Sequence, residues 1–139
     1  GGYVTHGECY RTVSDNSDDV LWWGKGGTLK GQSPQRIAFF RKIMESAPVT
    51  EMVPTLTEIE EGKGNAGVCF VLARPGQVYL AYTLDKGQPI RIDLAGTSEY
   101  RIEMIDTWAM TVRDLGTARP GKFTYETTGK YQAIRATRQ

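Results

Sequence analysis

The sequence has little of what metal and redox sites require. Its 139 residues contain one His and two Cys, and neither Cys9 nor Cys69 belongs to a Cys-x-x-Cys pair. One imidazole and two separated thiols do not complete a zinc site. We therefore expect no metal and no cofactor. Both cysteines are expected to be buried thiols, with a disulfide between them as the alternative.

Long apolar runs and an excess of charge are also missing. No apolar run approaches the roughly 18 residues that a membrane span needs, and the formal net charge is +1. No stripe of Lys and Arg stands out that would attract nucleic acid or anionic lipid. The hydrophobic fraction of 40% and the charged fraction of 24% are typical of a globular domain. We expect neither nucleic acid nor a membrane as a partner.

The first residues have no initiator Met, no basic segment and no apolar segment, so they match neither a natural start nor a signal peptide. We expect that the chain was separated from a longer protein at this end. The sequence therefore predicts no compartment.

Residues 1–48 follow the order strand, loop, helix. Residues 3–5 are β-branched and aromatic and predict a buried strand that ends at a polar group containing His6 and Glu8. A long polar connection follows over residues 11–31, and loops of this length are usually functional or disordered. Trp22 and Trp23 lie within it, and such large apolar side chains argue against disorder because they need a surface to pack on.

A helix is predicted over residues 33–47. Ser33 is a favourable N-cap, Pro34 is tolerated in the first turn, and Pro48 ends the helix. Five apolar residues share one face at three- and four-residue spacing: Ile37, Phe40, Ile43, Met44 and Ala47. We expect this stripe to be buried against neighbouring barrel elements, against the β domain, or against a second copy of the chain.

The pattern changes to strands after residue 65, and residues 49–64 are interpreted as a connector with a short extended piece. About seven short strands follow at spacings of roughly 8–12 residues, with turn residues between them, which predicts a mainly β fold of the antiparallel sandwich type. The predicted strands are residues 66–73, 77–84, 90–94, 100–107, 109–115, 122–127 and 131–137. We thus expect a sandwich domain over residues 65–139.

Strand, loop and helix form the repeating unit of a (β/α)8 barrel, whose active site lies where the strands end. In that arrangement His6 and Glu8 lie at the rim, and Trp22 and Trp23 lie on the loop above it. Indole faces beside polar groups suit sugar binding, so these four residues are our candidate substrate-binding residues. The alternative is structural: a hydrogen-bonded His at a strand end and two core Trp side chains.

Two other motifs are rejected on spacing. Residues 24–28 are rich in Gly but match neither the Walker pattern nor the dinucleotide pattern, and Asp15, Asp18 and Asp19 lack the spacing of a calcium loop. The aromatic residues of the β region mostly alternate with polar neighbours, which favours core positions over a platform for glycan. Trp108 lies between two predicted strands, where it would cap the sandwich or pack against the barrel unit.

Several motifs, in order along the chain, resemble the end of a bacterial cellulase-like glycoside hydrolase. They lie at residues 1–8, 21–27, 31–34, 36–39 and 41–43. The segments IDTWAMT at residues 105–111 and GKYQAIR at residues 129–135 resemble the C-terminal β-sandwich of such enzymes, a domain of unassigned function.

The resemblance implies that residues 3–8 are the eighth strand and residues 33–47 the eighth helix of a (β/α)8 barrel. Such barrels carry their acid/base and nucleophile Glu residues on the fourth and seventh strands, which are missing here. No catalytic residue is therefore expected in this chain, and His6 and Glu8 would be subsite or supporting residues. The implied partners are the rest of the barrel and, for the parent enzyme, an oligo- or polysaccharide.

The expected function is that of a glycoside hydrolase fragment whose sandwich is an accessory, stabilising domain. Two alternatives stay open: an independent carbohydrate-binding module, and a structural or protein-interaction sandwich. Self-association is also open. The sequence predicts neither the substrate sugar nor the linkage.

Overall fold

A computed structural model of the chain describes residues 10–11, 20–21, 28–29, 32–56 and 69–139. The chain divides into two units, residues 1–42 and 43–139. Among the described residues, no helix is long and apolar enough to cross a membrane.

Three two-residue strands form a small antiparallel sheet in the first unit, in the order β2-β1-β3. They are β1 (Tyr10–Arg11), β2 (Val20–Leu21) and β3 (Thr28–Leu29). Residues 11–31, predicted to be one long loop, thus contain short stretches of backbone pairing. The predicted strand at residues 3–5 lies outside the described residues.

The one predicted helix is present as α1, Ser33–Glu45. Its first hydrogen bond runs from the Arg36 N–H to the Gln32 carbonyl at 3.1 Å, so Gln32 caps the helix rather than Ser33. The apolar stripe is not buried as expected, because α1 contains no buried residue and Phe40 is exposed. A single 3-10 turn, Val49–Glu51, follows the helix.

Eight antiparallel strands lie among the described residues of the second unit. They are β4 (Val53–Leu56), β5 (Phe70–Arg74), β6 (Val78–Thr83), β7 (Pro89–Leu94), β8 (Tyr100–Asp106), β9 (Thr111–Ala118), β10 (Gly121–Glu126) and β11 (Gln132–Arg138). Six of them form one sheet in the order β4-β5-β6-β11-β8-β9, and β10 and β7 form a second sheet. The predicted mainly β, sandwich-like fold is confirmed.

The strand β4 lies within the stretch interpreted as a connector. It pairs with β5 at the edge of the six-stranded sheet, Val53 opposite Ala73 and Leu56 opposite Phe70. Pro54 has no N–H to donate, and edge strands tolerate that loss because one side of the strand needs no partner. The short extended piece expected between residues 49 and 64 is this strand.

The core lies between the two sheets, where alternate residues of each strand meet. The buried set includes Ile90, Ile92 and Leu94 of β7, Tyr100, Ile102 and Met104 of β8, and Ile134 and Ala136 of β11. Phe123 and Tyr125 of β10 pack against it. Buried and exposed residues alternate along β7, because one face of the strand points to the core and the other to solvent.

Two tyrosines fix one end of this core. The rings of Tyr79 and Tyr100 meet edge to face, with centroids 5.7 Å apart. The Tyr79 hydroxyl accepts hydrogen bonds from the backbone N–H of Gly76 at 3.1 Å and of Ala95 at 2.9 Å. Burial raises the pKa of Tyr100, and Tyr79 adds to the effect. Core use of these aromatic side chains is as predicted.

Cys69 is a buried thiol, as predicted. Burial raises its pKa, and weaker hydrogen bonds with the backbone of Arg91 and Tyr82 act in the other direction. A neutral, buried thiol is a poor nucleophile, so Cys69 serves packing rather than chemistry. Cys9 lies outside the described residues.

Candidate functional site

The six-stranded sheet has a second face, turned away from β7 and β10, which we call the outer face. One row of apolar residues crosses it, each paired in register with the next on the neighbouring strand, in the order Phe70, Tyr82, Ala133, Ile105 and Val112. Ala133 and Ile105, at the middle of the row, are 9% and 1% exposed. The outer face is therefore not the solvated face that a simple sandwich would show.

A chain of charged residues crosses the outer face beside this row. Arg135 of β11 donates to the Glu103 carboxylate of β8 at 2.7 Å, and the two side chains are only 15% and 11% exposed. Arg101 lies 3.6 Å from Glu103 and 2.9 Å from Asp114 of β9. The N–H of Gly116, and next the Arg101 side chain, lower the pKa of Asp114. The Asp114 carboxylate is thus stabilised as a charged group.

The segment that follows α1 lies over part of the outer face. Arg135 donates to the Ser46 hydroxyl, and Arg74 pairs with Glu51 at 2.6 Å. Both arginines point to the outer side of their strands because their sequence neighbours, Ala73 and Ile134, face the core. Met52, the next residue along this segment, is buried.

Beside the row, the turn between β8 and β9 presents Trp108, which is 62% exposed. The Asp106 carboxylate accepts the N–H groups of Trp108 at 3.0 Å and Ala109 at 2.7 Å, which fixes the turn. The Trp108 ring lies 5.7 Å from the ring of Tyr131 in a tilted arrangement. Trp108 was expected either to cap the sandwich or to pack against the barrel unit. Its exposure excludes a position in which the sandwich buries it as a cap.

A further hydrogen bond ties this turn to the start of β11. The Thr107 hydroxyl donates to the Tyr131 carbonyl at 2.7 Å, and the Thr107 N–H donates to the same oxygen at 3.1 Å. Tyr131 and Met110 have backbone φ angles of 58° and 57°, in the left-handed region. Non-glycine residues rarely adopt this conformation, so the surrounding hydrogen bonds must stabilise it.

The four substrate-binding candidates predicted from sequence, His6, Glu8, Trp22 and Trp23, lie outside the described residues. The structure therefore does not test whether these four side chains lie close together. Within the described ranges, no group of three or more His, Cys, Asp and Glu side chains could hold a metal ion. The described carboxylates of the outer face are paired with arginines, so this face offers binding contacts rather than a proton donor.

The sequence profile of the family described as a domain of unknown function, DUF5605, matches residues 67–137. The chain belongs to the DUF5605 family. The matched range begins just before β5 and ends within β11, so the family's pattern covers every strand of the two sheets of the second unit except β4.

Solved structures that share the fold come from glycoside hydrolase chains. One, described as a glycoside hydrolase, has a TM-score of 0.68 and 12% identity over 90% of this chain. A family 5 glycoside hydrolase from Bacteroides vulgatus has a TM-score of 0.63 and 15% identity over 84% of this chain. A candidate glycoside hydrolase from the same organism has a TM-score of 0.63 and 23% identity over 99%.

The DUF5605 chain spans 30%, 26% and 29% of these three chains, respectively. At identities of this size the likeness concerns the fold. No curated protein matches the sequence.

A covered outer face was not predicted from the sequence. Arg101 and Glu103 alternate with the core residues of β8, a pattern typical of a solvated side, whereas Glu103 is buried beside Ile105. The sequence nevertheless contained a signal that the outer face is covered, since the central strands carry apolar residues on both sides. In β6, the apolar residues on the outer side are Val78, Leu80 and Tyr82. Strands that are apolar on both sides indicate that both sheet faces are covered.

Proposed function

We propose that the chain is the C-terminal part of a cellulase-like glycoside hydrolase, in which the DUF5605 sandwich is an accessory domain that stabilises the catalytic domain. The observation that carries the proposal is the partly covered outer face, because a free-standing sandwich has no need for an apolar row on its second face. The fold shared with parts of glycoside hydrolase chains supports it.

In this proposal residues 1–48 supply the last strand, loop and helix of a (β/α)8 barrel, and the catalytic carboxylates come from earlier strands. His6 and Glu8 contact the substrate from the rim of the barrel, and Trp22 and Trp23 stack on its sugar rings. Residues 49–64 join the barrel to the sandwich. The substrate is an oligo- or polysaccharide.

The test compares the 139-residue chain with the product of the whole open reading frame that contains it. Both are assayed on β-glucan and on aryl glycosides. We expect turnover by the longer product alone, because glycoside hydrolysis ordinarily needs two carboxylates that flank one bond. Robust turnover by the 139-residue chain would show that the catalytic residues lie within it and would refute the proposal.

The accessory role has its own test. Deleting residues 49–139 from the longer product removes the whole sandwich, including β4, and we expect a lower melting temperature with the catalytic residues still present. An unchanged melting temperature, together with lost retention on polysaccharide gels, would favour a carbohydrate-binding module instead.

For the rim residues, Trp22→Ala in the longer product is expected to raise KM on oligosaccharides more than it lowers kcat, since stacking contributes mainly to binding. Phe70→Ala, which lies in the sandwich, serves as the comparison. A pure loss of stability with KM unchanged would show that Trp22 is a core residue.

A further inference from the structure

Three loops meet at one end of the sandwich, and we call this region the loop end. The loops are residues 84–88 between β6 and β7, residues 107–110 between β8 and β9, and residues 127–131 between β10 and β11. The strands of the large sheet finish at the same level here, because Gln132 lies opposite both Thr83 and Asp106. The loop end carries Trp108, which is 62% exposed.

Hydrogen bonds join the three loops to one another. The Tyr131 N–H donates to the Leu84 carbonyl at 3.1 Å, and the side chain and backbone of Thr107 both donate to the Tyr131 carbonyl. The Thr127 hydroxyl, on a residue that is only 5% exposed, donates to the Gln88 carbonyl at 2.9 Å. These bonds hold the side chains of the loop end in fixed relative positions.

Two aromatic rings lie side by side on this framework. The rings of Trp108 and Tyr131 have centroids 5.7 Å apart and planes inclined by 33°. Tyr131 and Met110 both have left-handed backbone conformations, which are costly for residues other than glycine and which collect at functional sites, ligand clamps among them. We infer that the loop end is a glycan-binding site, in which one sugar ring stacks on the indole of Trp108.

The chemistry of the loop end fits a carbohydrate. The C–H groups of a sugar ring pack on the flat apolar face of an indole, while the sugar hydroxyls bond to polar groups nearby. The same loops carry four exposed polar side chains: Asp85, Lys86, Thr128 and Lys130. An aromatic pair on loops that are otherwise polar therefore matches both the apolar and the polar surface of a sugar.

The amount of apolar surface argues against a protein as the occupant. A stable protein interface covers about 800 Å² on each side and has an apolar centre. An aromatic side chain buries about 150–250 Å², so Trp108 and Tyr131 together fall well below that area. Leu84, 48% exposed, is the other large apolar residue of the described loops with high exposure. One indole with a second ring beside it has the size of a single sugar ring.

The turn beneath Trp108 is ordered before any ligand arrives. The Asp106 carboxylate accepts the backbone N–H groups of Trp108 and Ala109. Binding then costs less conformational entropy, because the backbone that carries the indole is already fixed. The site adds glycan binding to the stabilising role proposed for the sandwich, and it rests on the proposed function only for the choice of β-glucan as the first ligand.

Affinity electrophoresis of the 139-residue chain tests the inference. Its migration is compared in native gels without glycan and with soluble mixed-linkage β-glucan, xylan or mannan. We expect β-glucan to slow the wild-type chain. Trp108→Ala should weaken the apparent affinity on the order of tenfold or more, because the ring at the centre of the contact is lost, whereas Trp108→Phe keeps a ring and should keep most of the affinity.

Phe70→Ala is the matched control. Phe70 is also aromatic and is 55% exposed, but it lies on β5, three strands from β8 in the sheet, which is a distance of about 14 Å. Its replacement should leave the affinity unchanged, and the urea midpoint of each variant checks that it is folded. Equal losses for Trp108→Ala and Phe70→Ala would show unspecific adhesion through any exposed ring and would overturn the inference.

A second measurement needs no variant. Hydroxyl-radical oxidation of Trp108 and Phe70 is measured in the wild-type chain with and without cellohexaose, or with the matching oligosaccharide if xylan or mannan slows the chain instead. We expect protection of Trp108 and none of Phe70. An unchanged oxidation of Trp108 overturns the inference. Protection that rises with the concentration of the chain alone also overturns it, since the occupant is then a second copy.

The remaining outcomes separate this site from the proposed function. If none of the three glycans slows the chain, or if Trp108→Ala binds as tightly as wild type, there is no glycan site at the loop end, even where the longer product hydrolyses glycosides. Binding that depends on Trp108, without hydrolysis by the longer product, supports the site and refutes the proposed activity alone. Trp108-dependent binding to xylan or mannan supports the site and replaces β-glucan as its ligand.

Discussion

Arg135 and Glu103 face each other on neighbouring central strands, with Arg135 Nε 2.7 Å from the Glu103 carboxylate. Both side chains are more than four-fifths covered. An ion pair at this depth contributes little when intact but costs much when one partner is lost, because the other charge stays behind without compensation. The pair therefore holds β8 and β11 in one register at the centre of the outer face.

Replacing Glu103 by Ala is expected to lower the free energy of unfolding by about 2–3 kcal/mol, somewhat less than for a fully buried pair. Urea denaturation of the 139-residue chain measures this. The matched control is Glu51→Ala, which breaks an ion pair with Arg74 whose side chains are 55% and 38% exposed. That change should cost about 0–1 kcal/mol. If Glu103→Ala and Glu51→Ala lowered the free energy of unfolding by similar amounts, the cost assigned to breaking the buried ion pair of Glu103 would be refuted.

The tyrosine hydroxyls of the core allow a paired test. Tyr79→Phe removes the acceptor of two backbone N–H groups, from Gly76 and Ala95, and should cost about 1–3 kcal/mol. Tyr125→Phe should be neutral or slightly stabilising, because among the described residues the Tyr125 hydroxyl is buried with no hydrogen-bond partner. Thermal unfolding of both variants measures these changes in stability. A larger loss of stability for Tyr125→Phe than for Tyr79→Phe would contradict the hydrogen bonding described for the two hydroxyls.

The central strand should be the part of the core most sensitive to truncation. Ile134 of β11 is completely buried between β6 and β8, so Ile134→Ala is expected to cost about 2–5 kcal/mol through lost burial and the cavity left behind. Val53→Ala, on the exposed edge strand β4, should change stability by about 0.5 kcal/mol or less. Chemical denaturation of the two variants side by side provides the comparison.

Much of the sandwich could be predicted from sequence because each strand is bounded by turn residues and shows alternation over four or more positions. The turn with Gly76, for example, has a φ of 78° there, which an L residue rarely adopts. The edge strand β4 was harder to recognise, since Pro54 and the Thr- and Glu-rich stretch around it are atypical of strands.

The candidate site was less predictable for a different reason. Alternation within one strand shows which residues share a face, but only the register between strands brings Phe70, Ile105 and Val112 into one row. Likewise, the exposure of Trp108 depends on the capped turn at Asp106 and not on its neighbours in sequence. The predictions for His6, Glu8, Trp22 and Trp23 stay predictions.

The charged residues of the outer face predict how the stability of the protein changes with pH. The pKa of Asp114 is lowered by the Gly116 N–H and by Arg101, so the folded state favours the charged carboxylate. Its contribution to stability is fully present above the unfolded pKa of about 4 and is lost as the pH falls through the lower folded value. We expect wild type to be more stable than Asp114→Asn at neutral pH. The difference should shrink as the pH falls from about 4 through the lower folded value, because the Asp114 carboxyl then becomes protonated and is as neutral as the Asn side chain.

Unfolding midpoints measured from pH 7 to pH 2.5 test this, with Asp85→Asn in an exposed turn as the control for the change in net charge. Because Asp114 is at the surface, added salt should reduce its contribution at neutral pH by screening the pairing with Arg101. The hydrogen bond from Gly116, 2.7 Å long, is less sensitive to salt and should preserve part of the difference. If the difference in unfolding midpoint between wild type and Asp114→Asn grew toward low pH, the pH dependence would have the opposite sign. That result would contradict the stabilising role assigned to the contacts with Gly116 and Arg101.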